Sequence, residues 1–286
     1  MFLEGATTNT NAAWPGWIRS PFAAVGHFLQ YRYLLSQLVR REVAAKYRGS
    51  WLGPVWPLLA PLLMLSVYTF VFSVVFQSRW GNGASASHAD FVLALFVSLT
   101  TFNLFAETVT VAPGLIVGNA NYVRRVVFPL EILPVARFLA NLVQAGLAMG
   151  IYLVAMLIFK GRIPWTIVLL PLVVLPLALL TVGLSLFLSS LGVFVRDVGQ
   201  LVGLGVTMLM FLSAVFYPLA SLPPSWLPVL CLNPLVLIVE DARRVCLNGL
   251  MPQWGPWCAV TSFGMVVMAG GFTWFMKSKN AFADVL

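Results

Sequence analysis

The residue types that most often carry out chemistry in proteins are sparse in this sequence. No glycine is followed directly by lysine, so the sequence lacks the GxxxxGK[ST] loop with which an ATPase holds nucleotide phosphates. The cysteines, Cys231, Cys246 and Cys258, are odd in number and lack the CxxC spacing of a zinc or redox site. We therefore expect no catalytic residue, cofactor or metal on this chain, and any nucleotide must bind a partner.

The acidic residues and histidines do not form a chemical cluster either. Glu107 and Glu131 are isolated, and Glu240–Asp241 is a single adjacent pair. His27 and His88 fall on opposite sides of the membrane predicted below, so they cannot share a metal or acid–base site. A membrane-embedded glycosyltransferase would need clustered Asp, Glu or His residues beside one face of the membrane, and the sequence disfavours that alternative.

Composition places the chain in a membrane. Of its 286 residues 60% are hydrophobic and 9% charged, and the mean hydropathy of +0.92 excludes an ordinary water-facing surface. None of the apolar stretches alternates with the two-residue period of an outer-membrane barrel. The net charge of +8 is concentrated beside apolar segments, so it indicates membrane topology rather than nucleic-acid binding.

The order of apolar and polar segments predicts an all-α polytopic membrane protein with six transmembrane helices. A helix needs roughly 20 apolar residues to cross the bilayer core. The predicted spans cover about residues 51–76, 91–112, 132–159 and 165–192, then a fifth ending near Tyr217, and residues 256–276. Lys and Arg are more frequent on the side that holds both termini, which predicts that both termini are cytoplasmic.

The segment before the first span predicts a helix at the membrane surface. Residues 28–48 place apolar side chains on one helical face and basic ones on the opposite side. Either an amphipathic interface helix or a basic cluster that only fixes orientation fits this pattern. We expect a cytoplasmic N-terminal region over residues 1–50 and a transmembrane domain over residues 51–286.

Two further segments are too polar or too broken to span. Residues 113–134 have prolines at both ends and a polar centre, which predicts a short cytoplasmic helix across the membrane surface. Residues 218–255 contain an apolar run that Pro234 interrupts and that Glu240, Asp241, Arg243 and Arg244 close. This second pattern predicts re-entrant or interfacial helices on the outer side.

Polar residues inside the predicted spans are costly against lipid and should face protein or a pore. Asn103 and Glu107 lie in the second span, and Arg137 lies near the cytoplasmic end of the third. Glu107 and Arg137 could form a proton relay, although a structural pair between helices is the favoured interpretation. Arg196 and Asp197 precede the fifth span, where they could pair or extend to the interface.

Three blocks, taken in order, resemble the ABC-2 type permeases, specifically the branch that exports polysaccharide and lipopolysaccharide O-antigen. Residues 38–76 resemble that family's interface helix and first span, and residues 119–137, with the core Phe-Pro-Leu-Glu, resemble its coupling helix. The third block combines the Arg-Asp turn of residues 193–200 with the Tyr-Pro and Asn-Pro elements of residues 216–243. The resemblance covers the chain from about residue 30 to 286.

The resemblance implies a homodimer in the bacterial inner membrane, bound to two copies of an ATPase subunit that carries ATP and Mg²⁺. The coupling helix would dock into a cleft of each ATPase. The residues implied in ATPase coupling are Asn119, Asn121, Tyr122, Arg124, Arg125 and Phe128. Structural or gating roles are implied for Glu107, Arg137, Arg196, Asp197, Tyr217 and Asn233.

The resemblance also implies a path at the dimer interface for a glycan carried on a polyprenyl pyrophosphate lipid. The basic residues placed to meet the pyrophosphate are Arg40, Arg41, Lys46 and Arg48. The same residues could instead follow the positive-inside rule and contact ordinary acidic membrane lipids. A capsule or teichoic-acid exporter is an alternative that the sequence separates poorly from the O-antigen type. A drug-exporting ABC-2 permease is a further alternative, but the aromatic-rich spans and the Arg-Asp, Tyr-Pro and Asn-Pro elements favour glycans.

Overall fold

The computed structural model describes residue 26, residues 30–47, residue 51, and residues 53–75, 88–123 and 128–285. Every regular element within those ranges is helical. The α-helices in chain order are α1 (Arg32–Tyr47), α2 (Trp56–Thr69), α3 (His88–Leu115), α4 (Ala120–Val123), α5 (Ile132–Lys160), α6 (Leu170–Phe194), α7 (Val198–Leu212), α8 (Leu227–Leu230), α9 (Pro234–Arg243), α10 (Trp254–Ser278) and α11 (Phe282–Val285).

Four helical segments are long and apolar enough to cross a membrane: His88–Leu115, Ile132–Lys160, Trp165–Phe194 and Trp254–Val285. They match the predicted second, third, fourth and sixth spans and extend most of them by a few residues. The predicted first and fifth spans correspond to α2 and α7, which are apolar but shorter. A wide turn over Phe70–Val75 continues α2, whereas α7 stops at Leu212. The described residues therefore confirm an all-helical membrane fold with four helices of spanning length.

The centre of the bundle is α3, whose side chains are buried from Phe91 to Leu99 without interruption. It packs against α5, α6, α7 and α9, while α10 packs along α6. A β-carbon added to Gly271 would lie 2.0 Å from the Gly183 carbonyl oxygen, and one added to Gly192 would lie 2.1 Å from that of Pro113. Glycine lets these backbones touch, as is usual between membrane helices that gain little from the hydrophobic effect.

The coupling segment is shorter than the 113–134 helix that the sequence predicts. Pro113 is buried within α3, and α5 already begins at Ile132, because both ends of the segment continue the long helices. Between them lie a single turn over Val117–Asn119 and the four-residue helix α4. Arg124 and Arg125 lie outside the described residues, as does Arg48.

The predicted outer segment, residues 218–255, folds as short helices joined by turns. Its main element, α9, begins where the Asn233 side chain accepts a hydrogen bond from the Leu235 backbone N–H at 3.0 Å and Pro234 occupies the first turn. Buried apolar residues of α9 pack against α3 and α6. The part around α9 is therefore packed against the long helices, whereas Trp226, Val229 and Leu232 earlier in the segment are exposed.

Candidate functional site

Helix α1 lies along α5 at the end of the bundle where α5 begins. Leu38 is buried in the contact, and Tyr31 and Leu35 pack beside it. The apolar face that the sequence predicts therefore rests, over these residues, on the protein itself. The opposite face keeps Arg40 exposed.

Two ion pairs fasten α1 to the bundle. Arg137 of α5 lies 3.0 Å from the Glu42 carboxylate of α1. Lys46, one helical turn further on, donates to Glu107 of α3 at 2.7 Å and to the Gln144 carbonyl oxygen of α5 at 2.5 Å. The predicted pairing of Glu107 with Arg137 is wrong, because each of the two finds its opposite charge on α1.

The aromatic residues of the coupling segment contact α1 directly. The Arg41 guanidinium carbon lies 5.5 Å from the centre of the Tyr122 ring, and its Nη1 donates to the Tyr122 hydroxyl. Tyr122 in turn stacks on Phe128, with ring centres 4.3 Å apart and planes 11° from parallel. Tyr122 and Phe128, both predicted coupling residues, thus form a stack whose hydroxyl end contacts Arg41 of α1.

The other predicted coupling residues lie nearby. The Asn119 amide donates to the Leu115 carbonyl at 2.9 Å and closes the end of α3, while Asn121 is exposed. The adjoining residue Glu131 is buried, and its carboxylate accepts a hydrogen bond from Lys279 at 2.7 Å. This last contact attaches the C-terminal segment to the same end of the bundle.

The four basic residues assigned to a lipid pyrophosphate therefore have unequal surroundings. Arg41 and Lys46 have protein partners, Arg40 is exposed, and Arg48 lies outside the described residues. The assignment of these residues to a headgroup stays a prediction.

A cavity of about 350 Å³ lies beside Lys46 and is lined by residues of α2, α3, α5 and α7. Its apolar part includes Met64, Leu65, Tyr68, Phe96, Leu99 and Met210. Its polar part consists of Thr100, Asn103 and Glu107 of α3 and Asn141 and Gln144 of α5. The α3 residues are three and four positions apart and the α5 residues three apart, so each set lies on one helical face. Asn103 and Glu107 both line this cavity, and that they avoid lipid stays a prediction.

Sequence reasoning missed the role of Arg243, which it counted as a charge on the outer side. The Arg243 side chain is 1% exposed. Its Nη2 donates to the carbonyls of Ala214 and Val215, the latter at 2.8 Å, and its Nε donates to the Ser98 hydroxyl of α3 at 2.5 Å. Glu240 lies 3.4 Å from Nη1. The buried guanidinium thus satisfies carbonyl groups that the end of α7 leaves open.

The Tyr-Pro and Asn-Pro elements meet at the same break in the chain. The Tyr217 hydroxyl donates to the Phe211 carbonyl at 3.0 Å, and the Tyr217 carbonyl accepts from Arg243 at 3.3 Å. The Asn233 amide donates to the Ser213 hydroxyl at 3.0 Å. The order of the Tyr-Pro and Asn-Pro elements in the sequence could have indicated that they lie together. Only the fold shows that Arg243 bonds to the same break in the chain.

The Arg-Asp turn is placed differently. Arg196 and Asp197 are both exposed at the start of α7, and within the described ranges no ion pair joins them. The Asp197 carbonyl accepts from the backbone N–H groups of Gln200 and Leu201. The turn therefore starts a helix, and the pairing of its charges is not observed.

These features define an all-helical membrane protein in which α1, the short segment between α3 and α5, and α9 pack against a bundle of long helices. The family model for ABC-2 type transporters matches residues 33–246, from α1 to the turn that follows α9. This match covers most of the chain, and the protein belongs to the ABC-2 type transporter family, as the sequence blocks predicted.

Similar proteins carry more specific names. The chain is 29% identical to the O-antigen export system permease protein RfbA of Myxococcus xanthus, over 91% of this chain and 98% of that protein. It is 25% identical to the protein of the same name from Klebsiella pneumoniae, over 88% and 95% of the two chains. It is also 23% identical to the polysialic acid transport protein KpsM of Escherichia coli, over 85% and 93%.

Proposed function

We propose that this chain is the membrane permease of an ABC exporter that moves a lipid-linked polysaccharide of the O-antigen type across the bacterial inner membrane. The observation that carries the proposal is the similarity to the Myxococcus xanthus O-antigen permease, which extends over 98% of that protein. Shared length matters here, because a match over nearly the whole relative favours a function of the same class more strongly than one shared motif would.

The energy would come from a separate ATPase subunit, because the sequence lacks a phosphate-binding GxxxxGK[ST] loop. The surface to which that subunit would bind is the coupling segment around Asn119–Phe128. Its contacts support a mechanical role: Tyr122 reaches Arg41 of α1, and α1 is held to α3 and α5 by Lys46 and Glu42. Movement of the coupling segment would thereby be passed to two long helices.

We further propose a homodimer with six spans per chain and both termini in the cytoplasm, in which α2 and α7 complete the set. Both helices present exposed apolar side chains, including Leu62 and Val67 on α2 and Leu204 and Met208 on α7. A second copy or lipid must cover such faces in a membrane. Residues 218–255 would then form a re-entrant segment on the outer side.

A capsular polysaccharide exporter is the second candidate, and the similarity to KpsM favours it over drug export. The weaker identity places it behind the O-antigen type. Both candidates predict the same direction of transport and the same class of lipid-linked cargo.

Deletion of the gene, followed by extraction of lipids, tests the proposal. We expect lipid-linked glycan of normal length to accumulate in the cytoplasmic leaflet while surface polysaccharide is lost, because synthesis precedes export. Re-expression of the unaltered chain should restore the surface polymer, and deletion of the partner ATPase should reproduce the accumulation. Loss of surface polymer without accumulated lipid-linked glycan would contradict an export role.

A further inference from the structure

The cavity beside Lys46 has a composition that lipid contact does not explain. Five polar side chains line it: Thr100, Asn103, Glu107, Asn141 and Gln144. Polar and ionisable residues inside membrane helices are costly and usually mark a functional site. The Asn103 side chain is exposed at this cavity, and Glu107 and Gln144 reach its edge where Lys46 bonds to both.

The polar end of the cavity combines groups that both donate and accept hydrogen bonds. The carboxamides of Asn103 and Gln144 each offer N–H donors and a carbonyl acceptor, and Glu107 offers acceptors. A sugar hydroxyl also donates and accepts, so pairs of ring hydroxyls match planar amide and carboxylate groups. Phosphate and carboxylate ligands only accept hydrogen bonds, so they offer no donor to the Glu107 oxygen that Lys46 does not occupy.

The charges at this end favour a neutral ligand. Lys46 lies 2.7 Å from the Glu107 carboxylate, and the pair is neutral overall. An anionic ligand that took the place of Glu107 beside Lys46 would lie next to the displaced Glu107 carboxylate. Like charges in close contact oppose binding. A neutral hydroxylated ring can use the free carboxylate oxygen and keep the ion pair intact.

The apolar walls of the cavity suit the C–H faces of a sugar ring. Tyr68 of α2 and Phe96 of α3 supply aromatic rings, and Leu65, Leu99 and Met210 supply apolar contacts. Aromatic faces pack against the apolar C–H faces of pyranose rings while hydroxyl groups stay at the polar end. The volume of about 350 Å³ falls in the ordinary range of small-ligand pockets.

We infer that this cavity is a subsite for a neutral sugar unit that forms hydrogen bonds with Asn103, Glu107 and Gln144, and that Glu107 selects against acidic sugars. The inference rests on the proposed export function, and it adds to that function a specific site within each chain and a charge class of glycan. Lys46 is a positioning residue in this site, because it holds Glu107 and Gln144 in place.

Photo-crosslinking locates the ligand. A photoreactive amino acid replaces Met64, which lines the cavity. In the control it replaces Val67, which lies one turn further along α2, is similarly exposed and does not line the cavity. The complete permease–ATPase complex is irradiated in membranes supplied with the neutral lipid-linked glycan or with polyprenyl phosphate lacking sugar. We expect at least about tenfold more sugar-bearing product at position 64 than at 67. Equal labelling at the two positions, or equal labelling by the sugar-free lipid, would overturn the inference.

Charge selection is tested on the purified complex in lipid nanodiscs. Binding of a neutral oligosaccharide is compared with binding of an oligosaccharide of equal size that carries carboxylates. The unaltered complex should bind the neutral form at least about tenfold more tightly, the change expected when a hydrogen bond to a charged group is lost. Glu107→Gln should bring the two affinities within about twofold, while Thr110→Val, on an exposed position of α3, should leave the preference intact.

The outcomes separate this inference from the proposed function. If deletion of the chain causes lipid-linked glycan to accumulate but Glu107→Gln lowers binding of both oligosaccharides equally, the chain is an exporter and the subsite is refuted. If deletion causes no accumulation, the export proposal itself fails. Crosslinking of a native glycan rich in acidic sugars at position 64 would also refute the selection for neutral units.

Discussion

Lys46 of the surface helix and Glu107 of the central helix form an ion pair with 2.7 Å between nitrogen and oxygen. The contact joins residues 61 positions apart in sequence and shares its ammonium group with Gln144. It holds Glu107, which lines the cavity, and fastens α1 to α3, so two separate properties of the molecule depend on it.

Exchange of the two charges should reveal this contact. Lys46→Glu or Glu107→Lys places like charges together, and each should lower the melting temperature of the purified permease. The double exchange should recover most of the loss, corresponding to a coupling of roughly 0.2–1 kcal/mol for a partly exposed pair. A double variant no more stable than the worse single variant would contradict a direct interaction.

The stack of Tyr122 and Phe128, with Arg41 at its hydroxyl end, predicts a graded effect on transport. Tyr122→Ala removes the ring that contacts both Arg41 and Phe128, so we expect export to fall severalfold while membrane insertion is preserved. Tyr122→Phe keeps the ring and should retain most of the activity. Export of surface polymer and co-purification of the ATPase measure the two effects. Equal activity of both variants would show that the stack does not transmit movement.

Charge reversal at Arg124 and Arg125 tests the docking surface predicted from sequence. Arg124→Glu with Arg125→Glu should weaken ATPase association or uncouple ATP hydrolysis from export, because the two lie on the proposed docking segment. Membrane insertion should be unchanged. Arg162→Glu, at an exposed position just after α5, is the control for charge reversal outside the docking segment. Normal export together with normal ATPase association would refute the docking role.

The buried Arg243 predicts a large loss of stability. Arg243→Met fits the space but leaves the carbonyls of Ala214 and Val215 without their donor, and we expect roughly 3–5 kcal/mol of destabilisation. Arg244→Met provides the control, because Arg244 makes a single hydrogen bond to the Met251 carbonyl at 3.2 Å. Thermal unfolding of purified protein measures the difference. Similar melting temperatures for the two variants would contradict a stabilising role for the Arg243 hydrogen bonds.

Neighbouring glycines of α10 give a sharp packing test. A side chain at Gly271 would meet the Gly183 carbonyl, whereas a β-carbon at Gly270 has no neighbour within 4 Å. Gly271→Val should force α6 and α10 apart and cost about 1–3 kcal/mol beyond the cost of Gly270→Val. Both substitutions change helix propensity equally, so the difference in unfolding temperature reports packing alone.

Hydropathy alone predicted the four long helices with bounds within a few residues, because length and apolar composition are local properties of the chain. The same local reasoning placed α1 and identified the family through motifs that each occupy one short block. It also predicted that Asn103 and Glu107 would avoid lipid, since the cost of burying polar groups in hydrocarbon does not depend on knowing their partners.

The sequence alone did not determine which residues contact one another. Glu107 binds Lys46 and Arg137 binds Glu42, because α1 folds back between two helices whose charges the sequence had paired with each other. Arg243 looked like a surface charge until the packing of α9 against α3 brought Ser98, Ala214 and Val215 around it. Such contacts join residues far apart in the chain, and only the tertiary arrangement of the helices decides which opposite charges and open carbonyls come within reach.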